Sequence, residues 1–171
     1  MYRYNNVFIG IGSNLGNATE NCLKGIGELR ESDKIEIIHC SSFYKTEPVG
    51  GPEQEWFINC VVKTETSLAP ENLLFYLKKL ESEMGRVQSL KWGPRVIDFD
   101  VLFFDNKILD TFNIKIPHPL NHKRRFVLEP MAEIAPTFVH PVLNRSIDEL
   151  KKDISCENQR VELYKKDNFA E

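Results

Sequence analysis

An α+β fold in the order βαββαβ is predicted by three features of the chain. Four short segments, Val7 to Ile11, Ile35 to Tyr44, Trp56 to Thr66 and Ile97 to Phe104, are rich in β-branched and aromatic residues, as strands are. Two segments between them carry helix start signals and apolar residues at helical spacing. The chain of 171 residues is long enough to bury a substantial core as one domain, without disulfides. This order is the ferredoxin-like split arrangement, in which helices cover one face of an antiparallel sheet.

The first strand closes on Gly10, Gly12 and Ser13. Asn17-Ala-Thr-Glu20 reads as an N-cap with an acidic partner three residues on. The helix it opens should run to Arg30 and bury Cys22, Leu23, Ile26 and Leu29. The second and third strands are separated by Thr46-Glu-Pro-Val-Gly-Gly-Pro52, a loop longer than a tight hairpin needs. Pro70 suits the first turn of an amphipathic helix ending near Gly85, with Leu73, Leu74, Leu77, Leu80 and Met84 inward. A loop from Arg86 to Val96 leads into the fourth strand. Beyond it the chain predicts a turn at Asp105-Asn-Lys107 and a short strand at Ile108 and Leu109. Short helices follow around Phe126 to Glu133 and Ser146 to Lys152. Residues 1–154 are expected to form the domain, and 155–171 a polar peripheral tail.

Composition narrows the class. Hydrophobic residues make up 42% and charged residues 27%, ordinary for a soluble globular protein. The net charge of −3 argues against bulk nucleic-acid binding. Cys22, Cys40, Cys60 and Cys156 lack C-x-x-C spacing, so no zinc site or redox pair is indicated. No apolar run reaches membrane-spanning length, and the N-terminus carries no long apolar leader. A cytoplasmic protein is expected.

Chemistry concentrates around Asp98-Phe99-Asp100. On a strand these carboxylates face one side, roughly 7 Å apart along the backbone. Acids in an apolar strand are costly unless a cation or hydrogen bonds compensate them. Their oxygens suit Mg²⁺, or two such ions, completed by water and phosphate; a solvated acidic face is the plainer alternative. Arg86, Lys91 and Arg95 upstream, with His118 and Arg124 downstream, favour nucleotide chemistry. The glycines of Gly10-Ile-Gly-Ser-Asn-Leu-Gly16 are one residue too widely spaced for a dinucleotide fingerprint and read as a strand-to-helix turn beside a ligand. Phe57 and Asn59 share a strand face, where they could stack on and read a heterocycle, or serve as core and loop cap. The basic run from Lys115 to Arg125, taken alone, reads as a solvated basic face rather than a site.

Taken together, these stretches resemble the 6-hydroxymethyl-7,8-dihydropterin pyrophosphokinase family. The matching pieces are Ile11-Gly-Ser-Asn-Leu-Gly16, Ser42-Phe-Tyr-Lys-Thr-Glu-Pro48, Phe57-Ile-Asn59 and Glu81 with Gly85-Arg86. Trp92-Gly-Pro-Arg-Val-Ile-Asp-Phe-Asp100, Pro117-His-Pro119 and Arg124-Arg-Phe-Val-Leu128 complete them. The resemblance implies diphosphate transfer from ATP to the pterin hydroxymethyl group, with two Mg²⁺ ions held by Asp98 and Asp100. It implies a pterin site at Thr46, Glu47, Val49, Phe57, Asn59 and Phe126. Around ATP it implies Leu74, Glu81, Lys91, Trp92, Val101, Lys115, His118 and Arg124, with Arg86 and Arg95 as the loop arginines that reach the phosphates. That loop is expected to move in the free protein and close over both substrates. Gln88 and Lys91 stand where many relatives carry arginine, and lysine lacks the guanidinium fork.

Partners follow as ATP and the pterin, for a monomer with no nucleic acid or membrane. An RNA-recognition module shares the βαββαβ order, but its aromatic signature does not match Trp-Phe-Ile-Asn-Cys-Val-Val-Lys63, and strand carboxylates would repel RNA.

Overall fold

The computed structural model describes residues 4–87, 92–155, 157 and 159–165. It is a mixed α/β structure with an antiparallel sheet between two pairs of helices. The sheet contains β1 (Asn5–Ser13), β2 (Ile35–Cys40), β3 (Phe43–Thr46), β4 (Phe57–Thr66), β5 (Asp98–Phe104) and β8 (Val161–Lys165). Its order is β5-β1-β4-β3-β8, with β2 also pairing β4. A two-stranded ribbon joins β6 (Leu109–Asp110) to β7 (Lys115–Ile116). Only its first strand was expected from sequence, one residue earlier. The helices are α1 (Ala18–Arg30), α2 (Pro70–Glu83), α3 (Arg125–Ile134) and α4 (Ile147–Asp153).

Strand alternation sorts the side chains into two cores. Val7, Ile9 and Ile11 of β1 join Ile58, Cys60 and Val62 of β4 under α1 and α2. Phe8 and Val61 face the other way, onto α3 and α4. Helices therefore cover both faces of the sheet; the sequence reading placed the two helices of the βαββαβ core on one face and assigned the later pair to neither. The apolar residues of α3 and α4 show why: Val127, Leu128, Met131, Ile147 and Leu150 need a second sheet face to bury them.

β5 serves both cores through a bulge. Opposite β1 the register runs Phe8 to Phe103, then Ile9 to Val101, leaving Leu102 as the extra residue. Leu102 and Phe103 consequently both face the α3–α4 side, while Phe99, Val101 and Phe104 face α1 and α2.

Asn17 caps α1 as expected, its side-chain oxygen accepting the Glu20 N–H at 3.2 Å. The helix buries Cys22, Gly25, Ile26 and Leu29. Leu23, expected inward, is 36% exposed, because one residue past Cys22 turns about 100° off the buried stripe. Gly25 lets α1 approach β5: a Cβ there would lie 3.0 Å from the Phe99 ring. In α2, Leu73, Leu77 and Leu80 are buried, Leu74 and Met84 partly so.

The expected second strand is broken at Ser41 and Ser42. Ser41 hydrogen-bonds to β4 through both its backbone N–H and its hydroxyl. Ser42 instead meets Glu133 at the end of α3. The Glu133 carboxylate accepts the Ser42 N–H at 3.0 Å, the Ser42 hydroxyl at 2.8 Å and the Tyr44 hydroxyl at 2.7 Å. Burial and this hydrogen bond push the Tyr44 phenol well above its ordinary value. Ser146 and Glu149 form a capping box at the start of α4. Residues 161–165, read from sequence as part of a polar tail, are largely exposed but form the edge strand β8 against β3.

Glu133 thus joins α3 to β3. Glu133→Ala should lower the free energy of unfolding by about 1–2 kcal/mol, because Ser42 and Tyr44 lose a charged acceptor at a partly buried seam. Glu133→Gln, which keeps one oxygen, should lose less. Urea melts with unchanged slope would check the order of the two variants.

Candidate functional site

A pocket partly open to solvent lies on the α3 side of the sheet. Its floor is bare backbone. Gly10 and Gly12 of β1 pair with Asp100 and Asp98 on one side, and with Val61 and Asn59 on the other. A Cβ on Gly12 would fall 2.4 Å from the Asn59 side-chain oxygen. The glycine is needed for close approach there; Gly16, at φ +68°, makes the turn into α1. The Asn59 amide is fixed by donating to the Thr46 hydroxyl at 2.6 Å.

The walls come from distant parts of the chain. Thr46, Glu47 and Val49 line one side, Phe57 and Asn59 the base, and Phe126 and Arg124 from the start of α3 the other. Trp92 and Arg95 close the end where Asp98 and Asp100 stand. The six residues assigned from sequence to the pterin therefore share one pocket with both acids. Arg124 stacks 5.4 Å from the Phe126 ring centre and 5.9 Å from that of Trp92.

Asn14, which no sequence argument singled out, holds these loops to the end of β1. Its side chain accepts the Arg95 N–H at 2.8 Å and donates to Gln54 and to the Glu55 carbonyl, each at 2.9 Å. Gln54 in turn donates to the Trp92 carbonyl at 2.8 Å. Trp92 takes a left-handed φ of 71°, and a Cβ on Gly51 would meet it at 2.8 Å. The signal was present in Gly-Ser-Asn-Leu-Gly, but its partners are some forty to eighty residues away.

Beneath the acids lies a charge cluster. Glu81, only 2% exposed on α2, accepts the Phe99 N–H at 2.8 Å and pairs with Lys78 at 2.8 Å and Arg86 at 2.5 Å. Arg86 also reaches Asp98 at 2.5 Å, Arg95 pairs with the other Asp98 oxygen, and Lys78 stands 3.9 Å away. Lys78 too was missed from sequence, although it lies one helical turn from Glu81. Burial raises the Glu81 carboxyl despite its cations. Burial also pushes Asp98 upward, but Arg95, Arg86 and Lys78 outweigh it and hold that carboxyl below its ordinary value. Asp100 has no ion pair among the described residues; burial and the neighbouring Asp98 raise it.

Among the described residues no group of three or more His, Cys, Asp or Glu could hold a metal alone. That excludes, for those residues, an all-protein cage of the calcium or structural-zinc kind. A pair of carboxylates, one of them without an ion pair, fits an ion that takes one or two carboxylates and completes its shell with water and phosphate, as Mg²⁺ does.

The residues assigned from sequence to ATP are more dispersed. Trp92 and Arg124 line the pocket. Val101 and Leu74 pack in the core on the opposite face of the sheet. Lys115 is exposed and pairs with Asp110 at 3.0 Å. His118 donates its N–H to the Leu102 carbonyl, and its Nδ1 accepts the Leu120 N–H at 3.2 Å, which leaves the proton of a neutral ring on Nε2. Burial holds its pKa down, against the pull of Asp100. Lys91 and Gln88 lie outside the described residues.

The opposite environments of the two acids give opposite pH signatures in metal-free buffer. Asp98, with its pKa lowered by folding, stabilises the protein above its unfolded pKa and loses that contribution as pH falls. Asp98→Asn should cost about 2–4 kcal/mol near pH 7, with the deficit shrinking towards about pH 3. Asp100, with its pKa raised, contributes fully only below its unfolded pKa and loses that contribution as pH rises. Asp100→Asn should therefore gain on the parent from about pH 3 to about pH 7. Chemical denaturation with chelator present checks both signs.

Comparison with known proteins bears on this site. The family model described as 7,8-dihydro-6-hydroxymethylpterin-pyrophosphokinase matches residues 8–136. The chain is 40% identical over 147 residues to the 2-amino-4-hydroxy-6-hydroxymethyldihydropteridine pyrophosphokinase of Aquifex aeolicus, covering 86% of this chain and 91% of that one. It is 40% identical over 151 residues to the folic acid synthesis protein FOL1 of Dictyostelium discoideum, covering 88% of this chain but 22% of that protein. The crystal structure of Plasmodium falciparum HPPK-DHPS with pteroate shares the fold, with a TM-score of 0.72 at 17% identity. That match covers 88% of this chain and 42% of the other, so the chain spans less than half of the Plasmodium protein.

Proposed function

The chain belongs to the 7,8-dihydro-6-hydroxymethylpterin-pyrophosphokinase family, and on that premise we propose that it transfers diphosphate from ATP to 6-hydroxymethyl-7,8-dihydropterin, releasing AMP, in folate biosynthesis. The observation that carries this reading is the convergence in one pocket of the Asn59 amide, the Phe57 and Phe126 rings, two strand carboxylates and two arginines. The ferredoxin-like assignment of the βαββαβ core rests on the order β5-β1-β4-β3, with β2 beside β4. We take residues 1–154 as the catalytic domain, acting as a cytoplasmic monomer. Among the described residues no helix is long and apolar enough to cross a membrane.

In this reading the pterin lies between Phe57 and Phe126, with its polar edge towards Asn59 and the backbone of Thr46, Glu47 and Val49. Asn59 suits that task because its amide is already oriented by Thr46. ATP is assigned to the region of Leu74, Glu81, Lys91, Trp92, Val101, Lys115, His118 and Arg124. Asp98 and Asp100 would hold two Mg²⁺ ions, whose charge would offset that on the transferred and leaving phosphates. Arg86 and Arg95 are the proposed catalytic residues, stabilising phosphate charge as the hydroxymethyl oxygen attacks the β-phosphorus. Both occupy Asp98 in the free chain. With Asp98 committed to a cation, Arg86 and Arg95 would be free to pair with phosphate. Positioning and electrostatics then carry most of the rate, as in other phosphoryl transfers.

Incubation with ATP, Mg²⁺ and the pterin should give AMP and pterin diphosphate in equal amounts. ADP as the nucleotide product would instead mean single phosphoryl transfer and defeat the reading. Phe126→Ala should weaken pterin binding by about 0.5–1.5 kcal/mol through lost stacking, with ATP affinity changing much less. Calorimetry showing equal losses for both ligands would assign Phe126 to the core alone.

A further inference from the structure

Residues 159–165 lie beyond the span 8–136 that the family model matches, yet their contacts converge on both walls of the pocket. In β8, Val161 pairs with Thr46. Just before it, Arg160 and Glu47 exchange hydrogen bonds. The Glu47 N–H donates to the Arg160 carbonyl at 2.9 Å, and the Arg160 N–H donates to the Glu47 carboxylate at 3.1 Å. The Arg160 guanidinium meets the same carboxylate at 3.4 Å and lies 4.8 Å from the Trp56 ring centre.

Gln159 reaches the other wall. Its side-chain oxygen accepts the Arg125 N–H at 3.0 Å, and its side-chain amide donates to the Lys123 carbonyl at 3.1 Å. The Arg125 N–H belongs to the first turn of α3, where backbone donors have no partner within the helix. The next residue is Phe126. Two consecutive residues therefore tie the loop carrying Thr46 and Glu47 to the helix start carrying Arg124 and Phe126. Glu133 joins β3 to α3 at the far end of that helix, so the slot is held at both ends.

We propose that Gln159 and Arg160 are positioning residues that set the separation of the two pterin-facing walls. The proposal rests on the reading of this pocket as the pterin site. The Arg160–Glu47 ion pair is largely exposed and adds little by itself. The geometric tie matters more: a wall already in place removes part of the ordering cost of binding. The effect should fall on pterin affinity and spare the phosphate end, where Asp98 and Arg95 have their own supports at Glu81, Arg86 and Asn14.

The test is the full-length Gln159→Ala/Arg160→Ala variant. Pterin dissociation constant and KM should both rise by about five- to tenfold, the order expected when one or two hydrogen bonds holding a binding wall are lost. Affinity for an ATP analogue should fall much less than pterin affinity, and only through Arg124, while kcat at saturation and melting temperature should stay near the parent's. The single Arg160→Lys change, which keeps Gln159 and the charge, should bind pterin almost as the parent does. Parent-like pterin affinity in the double variant overturns the proposal. Equal weakening of both ligands with a lowered melting temperature also overturns it, by making the segment a general fold element. A parent that binds pterin but forms no AMP would defeat the enzymatic reading, while the calorimetric comparison would still decide the role of the segment.

Discussion

Placing Asp98 and Asp100 on a strand whose other face is core constrains the rest of the molecule. Phe99 and Val101 must point into the layer beneath α1 and α2, so the acids must point out on the α3 side. Once there, they require a face that is neither packed nor freely solvated. Gly10 and Gly12 leave the neighbouring strand without side chains at the same register, and α3 covers that face only beyond the acids, over Leu102 and Phe103. The pocket is thus the gap left when one face of the sheet is covered incompletely. The bulge at Leu102 lets one strand serve as pocket lining at its start and as core of both layers at its end.

The two acids are not equivalent, and the difference comes from what lies beneath them. Glu81 is buried on α2 and accepts the Phe99 N–H, so it is tied to the strand through the backbone between the acids. It anchors Lys78 and Arg86, and these cations, with Arg95, compensate Asp98. Asp100 has only longer-range attraction from His118, Lys78 and Arg124. A half-buried carboxylate left so is the natural place for an added cation, whereas Asp98 gains one only by giving up partners.

Much of this was legible in sequence because it is local. The N-cap at Asn17, the proline opening α2, the alternation in β4 and the same-face acids in β5 each depend on residues a few positions apart. What escaped depends on partners far along the chain. Asn14 is an unremarkable polar residue until Arg95 and Gln54 are beside it. Gly10 and Gly12 carry no mark that distinguishes a turn glycine from one whose missing Cβ makes room for Asn59. The polar composition after Ser155 reads as a tail, because an edge strand gets its pairing from backbone groups and needs little apolar surface. The second pair of helices was expected as elements but not assigned to a face, since periodicity shows that a helix has a buried side and not what buries it.

The arrangement of charges suggests how a site can be rigid before its ligands arrive and still change partners when they do. Arg86 has two anions, Glu81 and Asp98. Loss of Asp98 to a cation would leave Arg86 tethered to Glu81 rather than unpaired, which limits the cost of the exchange. Arg95 has no second carboxylate among the described residues, but its backbone is fixed to Asn14 through both N–H and carbonyl. Its side chain can therefore swing without the loop unfolding. The backbone hydrogen bonds hold positions, and the guanidinium groups hold only charge balance. Phosphate entering with a cation would restore that balance with the same arginines and a different anion. The free chain thus keeps Arg86 and Arg95 half-buried and neutralised by the residue proposed to bind the metal.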